Sequence, residues 1–318
     1  MKRLLKELFS QLNINITKGS RYKYEKHGIL ELYQYKKDIE DFNDKGIKFR
    51  NNSKFLDFVN FRFVIKGFPI WRELQSEAKA EIEFFDNKKE VLLKIDGQKF
   101  YVQTFEEFVI LKEVFIDGIY NIITPKTFCF IDIGMNVAFT SLFMSKNPNA
   151  KSVYSYEPFI KTFNQGLRNI QLNITSKISA HSFGLGKCNE TLLLDYSDDF
   201  RGSMGIAGIP FYLQESIIES EISKQSVEIR DIAEVLSDIQ EKEGEIGIVL
   251  KMDCEGAEYD LIGRLAEAGL LTNIKVLMIE WHLKGPKVIE NILKQNDFYI
   301  FSFSPLRKDI SMIYAVKN

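Results

Sequence analysis

After residue 127, short apolar runs alternate with longer segments whose apolar residues recur at helical spacing. The apolar runs predict strands over residues 128–133, 152–156, 177–183, 248–253, 275–281, 298–303 and 311–316. The segments between them predict helices over residues 139–146, 159–172, 257–268 and 287–295. Strands that alternate with helices predict an α/β protein with a mostly parallel, doubly wound sheet. Only a short loop separates the last two strands, which predicts an antiparallel hairpin at one edge.

The N-terminal part of the chain lacks this alternation. Apolar residues recur at helical spacing over residues 2–12, so we predict one amphipathic helix there. It either docks on the body of the protein or, because three basic residues accompany it, contacts a membrane surface or a partner. Residues 20–85 show no clean period and predict a mixed, mostly helical region.

A hairpin and a helix lead into the alternating part. Val91–Val102 predicts the hairpin, with Asp96-Gly97 at its tip, because this dipeptide suits a type I′ turn. Apolar residues at helical spacing predict a helix over Glu106–Tyr120. The chain then divides into two predicted parts, which are an N-terminal accessory region over residues 1–90 and a domain over residues 91–318.

Composition narrows the class of protein. A chain of 318 residues with 45% hydrophobic and 27% charged residues has the length of about two domains and the means to form a packed core. Its formal net charge of -2 lacks the excess of basic residues that is typical of nucleic-acid-binding proteins, so we expect no nucleic-acid partner. Three scattered cysteines and the absence of a membrane-length apolar run predict a cytoplasmic protein without disulfides or a cysteine-rich zinc site.

Polar residues follow the first strand of the predicted sheet. Phe128–Ile133 is apolar except for Asp132, and Gly134 and Asn136 come directly after it. In open α/β sheets, ligands bind at the carboxyl ends of the strands, near the point where strand order reverses. Gly134 permits close backbone approach. Asp132 and Asn136 are placed to hold a cationic amino-acid group such as that of S-adenosylmethionine.

A carboxylate follows the second strand. Glu157 can accept hydrogen bonds from ribose hydroxyls, a role shared by dinucleotide and S-adenosylmethionine sites. A pyrophosphate-binding turn has the pattern G-x-G-x-x-G, whereas Gly134 is alone in this turn. Each residue by itself is equally typical of a helix cap or a surface position. Together they favour S-adenosylmethionine over a dinucleotide.

Three segments resemble the FkbM-type family of S-adenosylmethionine-dependent methyltransferases. They are Asp132-Ile-Gly134-Met-Asn136-Val-Ala-Phe-Thr-Ser141, Tyr156-Glu157-Pro158 and Lys251-Met-Asp253-Cys-Glu255-Gly256-Ala-Glu258. The resemblance spans about residues 90–316. It implies a class I methyltransferase (Rossmann-like) fold and methyl transfer to a hydroxyl oxygen, often on a sugar or polyketide.

The same resemblance suggests roles for individual residues. Asp132, Gly134 and Asn136 match the family's cofactor turn, and Glu157 matches its ribose ligand. Phe200-Arg-Gly202-Ser203 stands where the family often has a Gly-Ser segment, which makes Arg201 and Ser203 candidates for substrate binding. His181 ends the third strand, where class I methyltransferases often contact adenine. Two departures are Ala138, in place of a second glycine, and Ala233-Glu234, where paired acids are common.

Candidate catalytic groups stand at the tips of the fourth and fifth strands. His282 is the predicted general base, because its ordinary pKa suits proton removal near neutral pH, and the alternative is a structural histidine. Asp253 orients substrate or touches the cofactor, and Glu280 stands beside it. Glu255 either contacts substrate or, like other acids at a helix start, caps free amides. Asp253, Glu280 and His282 also suit a divalent cation, an alternative that we rank below a metal-free site.

Several hypotheses stay open on the sequence. The first is transfer of a methyl group to a hydroxyl of a small molecule or glycan. The second is methylation of nitrogen on a protein or RNA, although no Asn/Asp-Pro-Pro-Tyr type motif is present. The third is a non-catalytic interaction protein on a methyltransferase scaffold, favoured by Ala138 alone. A homodimer formed through the N-terminal region is a further possibility.

Overall fold

The structure is a computed structural model. It describes residues 38–42, 46–50, 54–57, 60–85, 90–124, 126–206, 222–303 and 310–317. The helix predicted over residues 2–12 lies outside them. The chain divides into two compact units, the first made of residues 1–97 and 101–112 and the second of residues 98–100 and 113–318. Among the described residues, no helix is both long and apolar enough to cross a membrane.

The first unit mixes short strands with helices. Its strands include β1 (Ile39–Phe42), β2 (Gly46–Phe49), β3 (Leu56–Asp57), β4 (Glu81–Phe84) and β5 (Val91–Ile95), and its helices are α1 (Arg62–Glu77) and α2 (Phe105–Lys112). Phe49 stacks on Phe68 of α1, and Gly67 of the same helix packs directly beneath the ring of Phe108. The described part of residues 20–85 is therefore mixed, and it contains strands that the sequence did not reveal.

The predicted hairpin forms from β5 and β6 (Gln98–Val102), which are neighbours in a three-stranded sheet with β4. Its tip has the predicted geometry, because Asp96 and Gly97 both have positive φ, of 48° and 75°, as a type I′ turn requires. The helix predicted over Glu106–Tyr120 is shorter. It consists of α2 followed by a π-helical segment over Glu113–Asp117.

A seven-stranded sheet organises the second unit. Its strands are β7 (Phe128–Ile133), β8 (Ala150–Tyr156), β9 (Ile178–His181), β13 (Gly247–Met252), β14 (Ile274–His282), β15 (Phe298–Ser302) and β16 (Ile310–Lys317). They lie in the order β15-β16-β14-β13-β7-β8-β9. Strand β16 is antiparallel to both of its neighbours, and the other adjacent pairs are parallel. This is the predicted class I methyltransferase sheet, with its antiparallel pair at one edge.

Helices cover both faces of this sheet, as the doubly wound prediction requires. They are α3 (Phe139–Ser145), α4 (Ile160–Leu172), α5 (Ile232–Glu243), α6 (Glu258–Glu267) and α7 (Lys287–Gln295). One face forms the main apolar core, because alternate residues of the central strands pack there against α5, α6 and α7. On the opposite face, buried polar side chains stand among the apolar ones.

A second sheet was missed by the sequence patterns. It consists of β10 (Gly184–Gly186), β11 (Glu190–Ser197) and β12 (Ile222–Asp231), in the order β10-β12-β11. Phe159 and Tyr196 pack in a separate small core with residues of β12. The inserted sheet covers one side of the cleft that forms the candidate site.

Candidate active site

A cleft opens in the second unit at the carboxyl ends of β7 and β13. The chain order of the strands reverses between these two neighbours, which is where ligands bind in open α/β sheets. Charged or polar lining residues include Asn136, Glu157, Arg201, Asp253 and Glu255.

The floor of the cleft is a tight turn after β7. Gly134, Asn136 and Ala138 all have positive φ, of 78°, 51° and 68°. Gly134 is required by space as well as by conformation, because a Cβ there would overlap the carbonyl oxygen of Asp253. Ala138 adopts the left-handed conformation that glycine adopts more readily. Ala138, which stands where the resemblance leads one to expect a second glycine, thus lies in the left-handed region.

Asn136 and Glu157 face each other across this turn. The Asn136 backbone N–H donates to Glu157 Oε2 at 3.0 Å, and the Phe159 N–H donates to Oε1 at 3.0 Å. Burial raises the pKa of Glu157 to about 7, against the lowering effect of these two hydrogen bonds. Asn136 lines the cleft, and its buried Oδ1 has no hydrogen-bond partner among the described residues.

A buried ion pair supports the turn from below. Lys251 Nζ on β13 lies 3.1 Å from Asp132 Oδ1 and donates to the Gly134 carbonyl at 2.6 Å. The contact with Oδ1 lacks hydrogen-bond geometry and is an ion pair. Ser141 donates to Asp132 Oδ2 at 2.5 Å. Burial acts to lower the pKa of Lys251, but the carboxylates of Asp132 and Asp253 raise it above its ordinary value.

Asp253 stands where this ion pair meets the cleft. Its Oδ2 lies 3.5 Å from Lys251 Nζ and accepts a hydrogen bond from Tyr120 Oη at 3.4 Å. Burial, followed by the charge of Asp253, raises the pKa of Tyr120 well above its ordinary value, so the phenol is a neutral donor. The Asp253 side chain is 28% exposed. It is thus both held in place and accessible to a bound molecule.

His282 is clamped between two glutamates. Its Nδ1 lies 3.1 Å from Glu258 Oε1, and its Nε2 lies 3.5 Å from Glu255 Oε2. Burial acts to lower the pKa of His282, but the hydrogen bond to Glu258 and the nearby carboxylates raise it to about 10. The ring is therefore protonated near neutral pH. A protonated histidine cannot act as the general base that the sequence predicted.

Glu258 owes its position to the loop between β13 and α6. It is fully buried and accepts from the backbone N–H groups of Cys254 and Gly256, at 3.0 and 3.1 Å. Both donors precede α6, so the carboxylate fixes the loop before the helix and does not cap the helix itself. The same carboxylate fixes the ring of His282.

Residues 132–300 match the family model of the methyltransferase FkbM domain. The chain belongs to this family, and it is a methyltransferase.

Relatives of this FkbM-family chain include two fungal proteins. Methyltransferase 1 of Beauveria bassiana (strain ARSEF 2860) is 27% identical over 175 residues, which are 52% of this chain and 70% of the relative. Methyltransferase sdnD of Sordaria araneosa is 26% identical over 234 residues, 66% of this chain and 89% of the relative. A solved structure, methyltransferase FkbM from Methylobacillus flagellatus KT, superposes with a TM-score of 0.43 at 14% identity, covering 99% of this chain and 77% of that chain.

The structure brings six of the predicted site residues of this FkbM methyltransferase to one cleft. They are Gly134, Asn136, Glu157, Arg201, Asp253 and Glu255. Arg201 reaches it from the loop after β11, where its Nη1 donates to Gln165 Oε1 at 2.5 Å and its Nε donates to the Asp198 carbonyl.

Other predicted residues lie away from the lining. Asp132 is fully buried under the turn, so its contact is with Lys251 rather than with a ligand. The ring of His181 stacks on Tyr156 at 5.0 Å, and its contact with adenine stays a prediction. Ser203 is buried beside the lining residues Gly202 and Met204.

Glu280 is displaced from its predicted place in the catalytic and metal groups. Burial and then the charge of Asp253 raise its pKa well above the ordinary value, and its side chain does not line the cleft. The described residues whose ligand atoms lie within 4.8 Å of one another are instead Asp253, Glu255 and His282. The candidate metal-binding group in the structure therefore has Glu255 in place of Glu280, which the sequence analysis had predicted.

Two residues of the site were missed by the sequence analysis. Lys251 interrupts the apolar run Ile248–Met252, and a lysine in a fully buried strand signals a buried partner. Tyr120, at the end of the segment before β7, gave no such signal, because its contact with Asp253 spans 133 residues of chain.

Proposed function

We propose that this methyltransferase uses S-adenosylmethionine to methylate a hydroxyl oxygen of a small molecule or glycan. The observation that carries the proposal is the composition of one cleft. A turn with an unpartnered buried acceptor, Asn136 Oδ1, stands on one side, and the accessible carboxylate of Asp253 stands on the other. Asn136 Oδ1 suits the cationic amino-acid end of the cofactor, and the Asp253 carboxylate suits the hydroxyl group of a methyl acceptor.

The cofactor would lie across the turn. Asn136 Oδ1 would accept from the cofactor ammonium group, and Glu157 would accept from the ribose hydroxyls with the lone pairs that its two backbone donors leave available. A single-glycine turn offers no cradle for a pyrophosphate. These contacts support S-adenosylmethionine over a dinucleotide.

Asp253 is our candidate for the proton acceptor. In the transfer, the acceptor oxygen attacks the methyl carbon in line, the carbon–sulfur bond breaks, and S-adenosylhomocysteine leaves. The hydroxyl proton passes to the Asp253 carboxylate, which Tyr120 and Lys251 hold toward the cleft. Arg201 and Glu255 offer further polar contacts to an acceptor with several hydroxyls, such as a sugar.

Methyl transfer from tritiated S-adenosylmethionine to a panel of sugars, glycans and hydroxylated small molecules tests the proposal. A product with an alkali-stable methyl ether, formed by the wild type and slowed by at least about a hundredfold in Asp253→Asn, would support it. The matched control is Asp198→Asn, which alters an exposed acid outside the lining. Methylation on nitrogen alone would contradict the oxygen assignment.

A further inference from the structure

The loop between β13 and α6 meets the end of β14 at a cluster of potential metal ligands. One ligand atom from each of Asp253, Glu255 and His282 lies within 4.8 Å of the others. Two ligands that are each about 2.1 Å from a shared ion can be up to about 4.2 Å apart. Small side-chain rotations would therefore bring all three onto one ion.

The imidazole carries the observation that points to a ligand. His282 is 5% exposed, and its Nε2 has no hydrogen-bond partner among the described residues. The nearest carboxylate oxygen, of Glu255, lies 3.5 Å from Nε2. A buried ring nitrogen in this position needs either a proton or an ion, and it faces the two carboxylates of the group.

The other side of the imidazole has the arrangement that metal-binding histidines commonly show. Nδ1 lies 3.1 Å from Glu258 Oε1, so an N–H there donates to a carboxylate, and an ion that displaces the Nε2 proton would meet a lone pair directed at the cluster. Glu258 is itself fixed by two backbone N–H groups. The ring orientation is thus set before any ion binds.

Charge and access also suit a cation. The carboxylates of Asp253 and Glu255 lie in the group itself, and Glu258 adds another carboxylate beside the imidazole. Lys251 is a nearby cation, but it lies closer to Asp132 than to Asp253, at 3.1 against 3.5 Å. The side chains of Asp253 and Glu255 are 28% and 15% exposed, which gives an ion a route from the cleft.

We infer that Asp253, Glu255 and His282 bind one divalent transition-metal ion at the acceptor side of the cleft. Two carboxylate oxygens and one imidazole nitrogen suit Mn²⁺ and its neighbours better than Mg²⁺ or Ca²⁺, which take oxygen ligands. The inference deepens the proposed function and rests on it for its role. Asp253 would then act on the acceptor hydroxyl through the ion, which lowers the pKa of a bound hydroxyl.

Mn²⁺ binding to the full chain, stripped with EDTA and desalted, tests the inference by electron paramagnetic resonance. We expect one Mn²⁺ per chain, with nitrogen modulation in the spin-echo signal of the bound ion. His282→Gln should abolish the nitrogen modulation, and His282→Gln and Glu255→Gln should each weaken binding by about tenfold or more. The control Glu241→Gln removes an exposed acid on α5 and should bind as the wild type does.

Two outcomes would overturn the inference. One is a wild type without stoichiometric Mn²⁺ binding, and the other is binding that all variants retain in full. Circular dichroism of each variant excludes loss of fold as the cause of lost binding. S-adenosylhomocysteine binding is measured on the same samples. If the protein binds the cofactor but not Mn²⁺, the metal site is contradicted and the proposed function is not. If it binds Mn²⁺ but not the cofactor, the proposed function is contradicted and the metal site is supported.

Discussion

Lys251 and Asp132 form an ion pair, with Nζ 3.1 Å from Oδ1, in which both side chains are almost fully buried. They stand opposite each other on the adjacent strands β13 and β7. The pair joins the two strands at the point where strand order reverses, and it supports the Gly134 carbonyl through the same ammonium group. The cleft floor therefore depends on a buried charge pair, neither member of which lines the cleft.

Breaking this pair should destabilise the protein strongly. Lys251→Met leaves the Asp132 carboxylate buried without its cation, which costs about 3–5 kcal/mol. The double variant Lys251→Met/Asp132→Asn should recover at least about 1 kcal/mol relative to the sum of the two single losses. Urea denaturation of the four proteins gives the coupling, and additive losses would show that the two side chains do not interact.

The turn after β7 should tolerate no side chain at Gly134. Gly134→Ala places a methyl group against the Asp253 carbonyl and forces alanine to a φ of 78°, at a cost of at least about 2 kcal/mol. Gly263→Ala is the matched control, since nothing lies within 4 Å of a Cβ at that position in α6. It should stabilise the helix by about 0.5–1 kcal/mol. Equal thermal shifts in the two variants would contradict this account of the turn.

Cofactor affinity should depend on pH through Glu157. The pKa of this carboxyl is about 7 because it is buried, and ribose hydroxyls donate to its ionised form. Binding must then expel a proton below pH 7, so affinity for S-adenosylhomocysteine should rise with pH, by up to about tenfold per unit between pH 6 and 7. Above pH 7 it should level off. Titration calorimetry checks this, and Glu157→Gln should bind more weakly with no such slope.

Stability of the metal-free protein should depend on pH through His282. Its pKa is raised from 6.5 to about 10 in the folded protein. The stabilisation from its protonation is therefore fully present below pH 6.5 and is lost as pH rises through 10, at no more than about 1.4 kcal/mol per unit. Urea denaturation in EDTA at pH 6, 8 and 10 measures it for the wild type and His282→Gln. If the difference between the two proteins stays constant with pH, the histidine is not protonated as described.

Much of the second unit could be predicted from sequence, because its signals are local. The apolar run ending in Asp132 and the glycine two residues later predict a strand, a turn and a helix without any knowledge of distant residues. The alternation of such runs with helices predicts the sheet. The inserted strand β11 was missed, since exposed side chains along it blur the period-two pattern.

The chemistry of the site was harder to predict, because it depends on contacts between distant residues. From the sequence alone, His282 is expected to have the ordinary pKa of a histidine. In the folded protein its pKa is raised, because Glu258, 24 residues away, lies within hydrogen-bonding distance of its Nδ1. The same holds for Glu280, whose expected place among the metal ligands is taken by Glu255. A sequence pattern identifies the residue types at a strand tip, but not which of them face one another.

Binding of S-adenosylmethionine by the purified chain tests the central claim most directly. Isothermal titration at pH 8 should give one site per chain with a dissociation constant on the order of micromolar. Glu157→Gln should weaken it by about tenfold or more, equivalent to roughly 1.4 kcal/mol, whereas Glu241→Gln should not change it. Absence of binding by the folded wild type at millimolar cofactor would contradict the assignment of this cleft to S-adenosylmethionine.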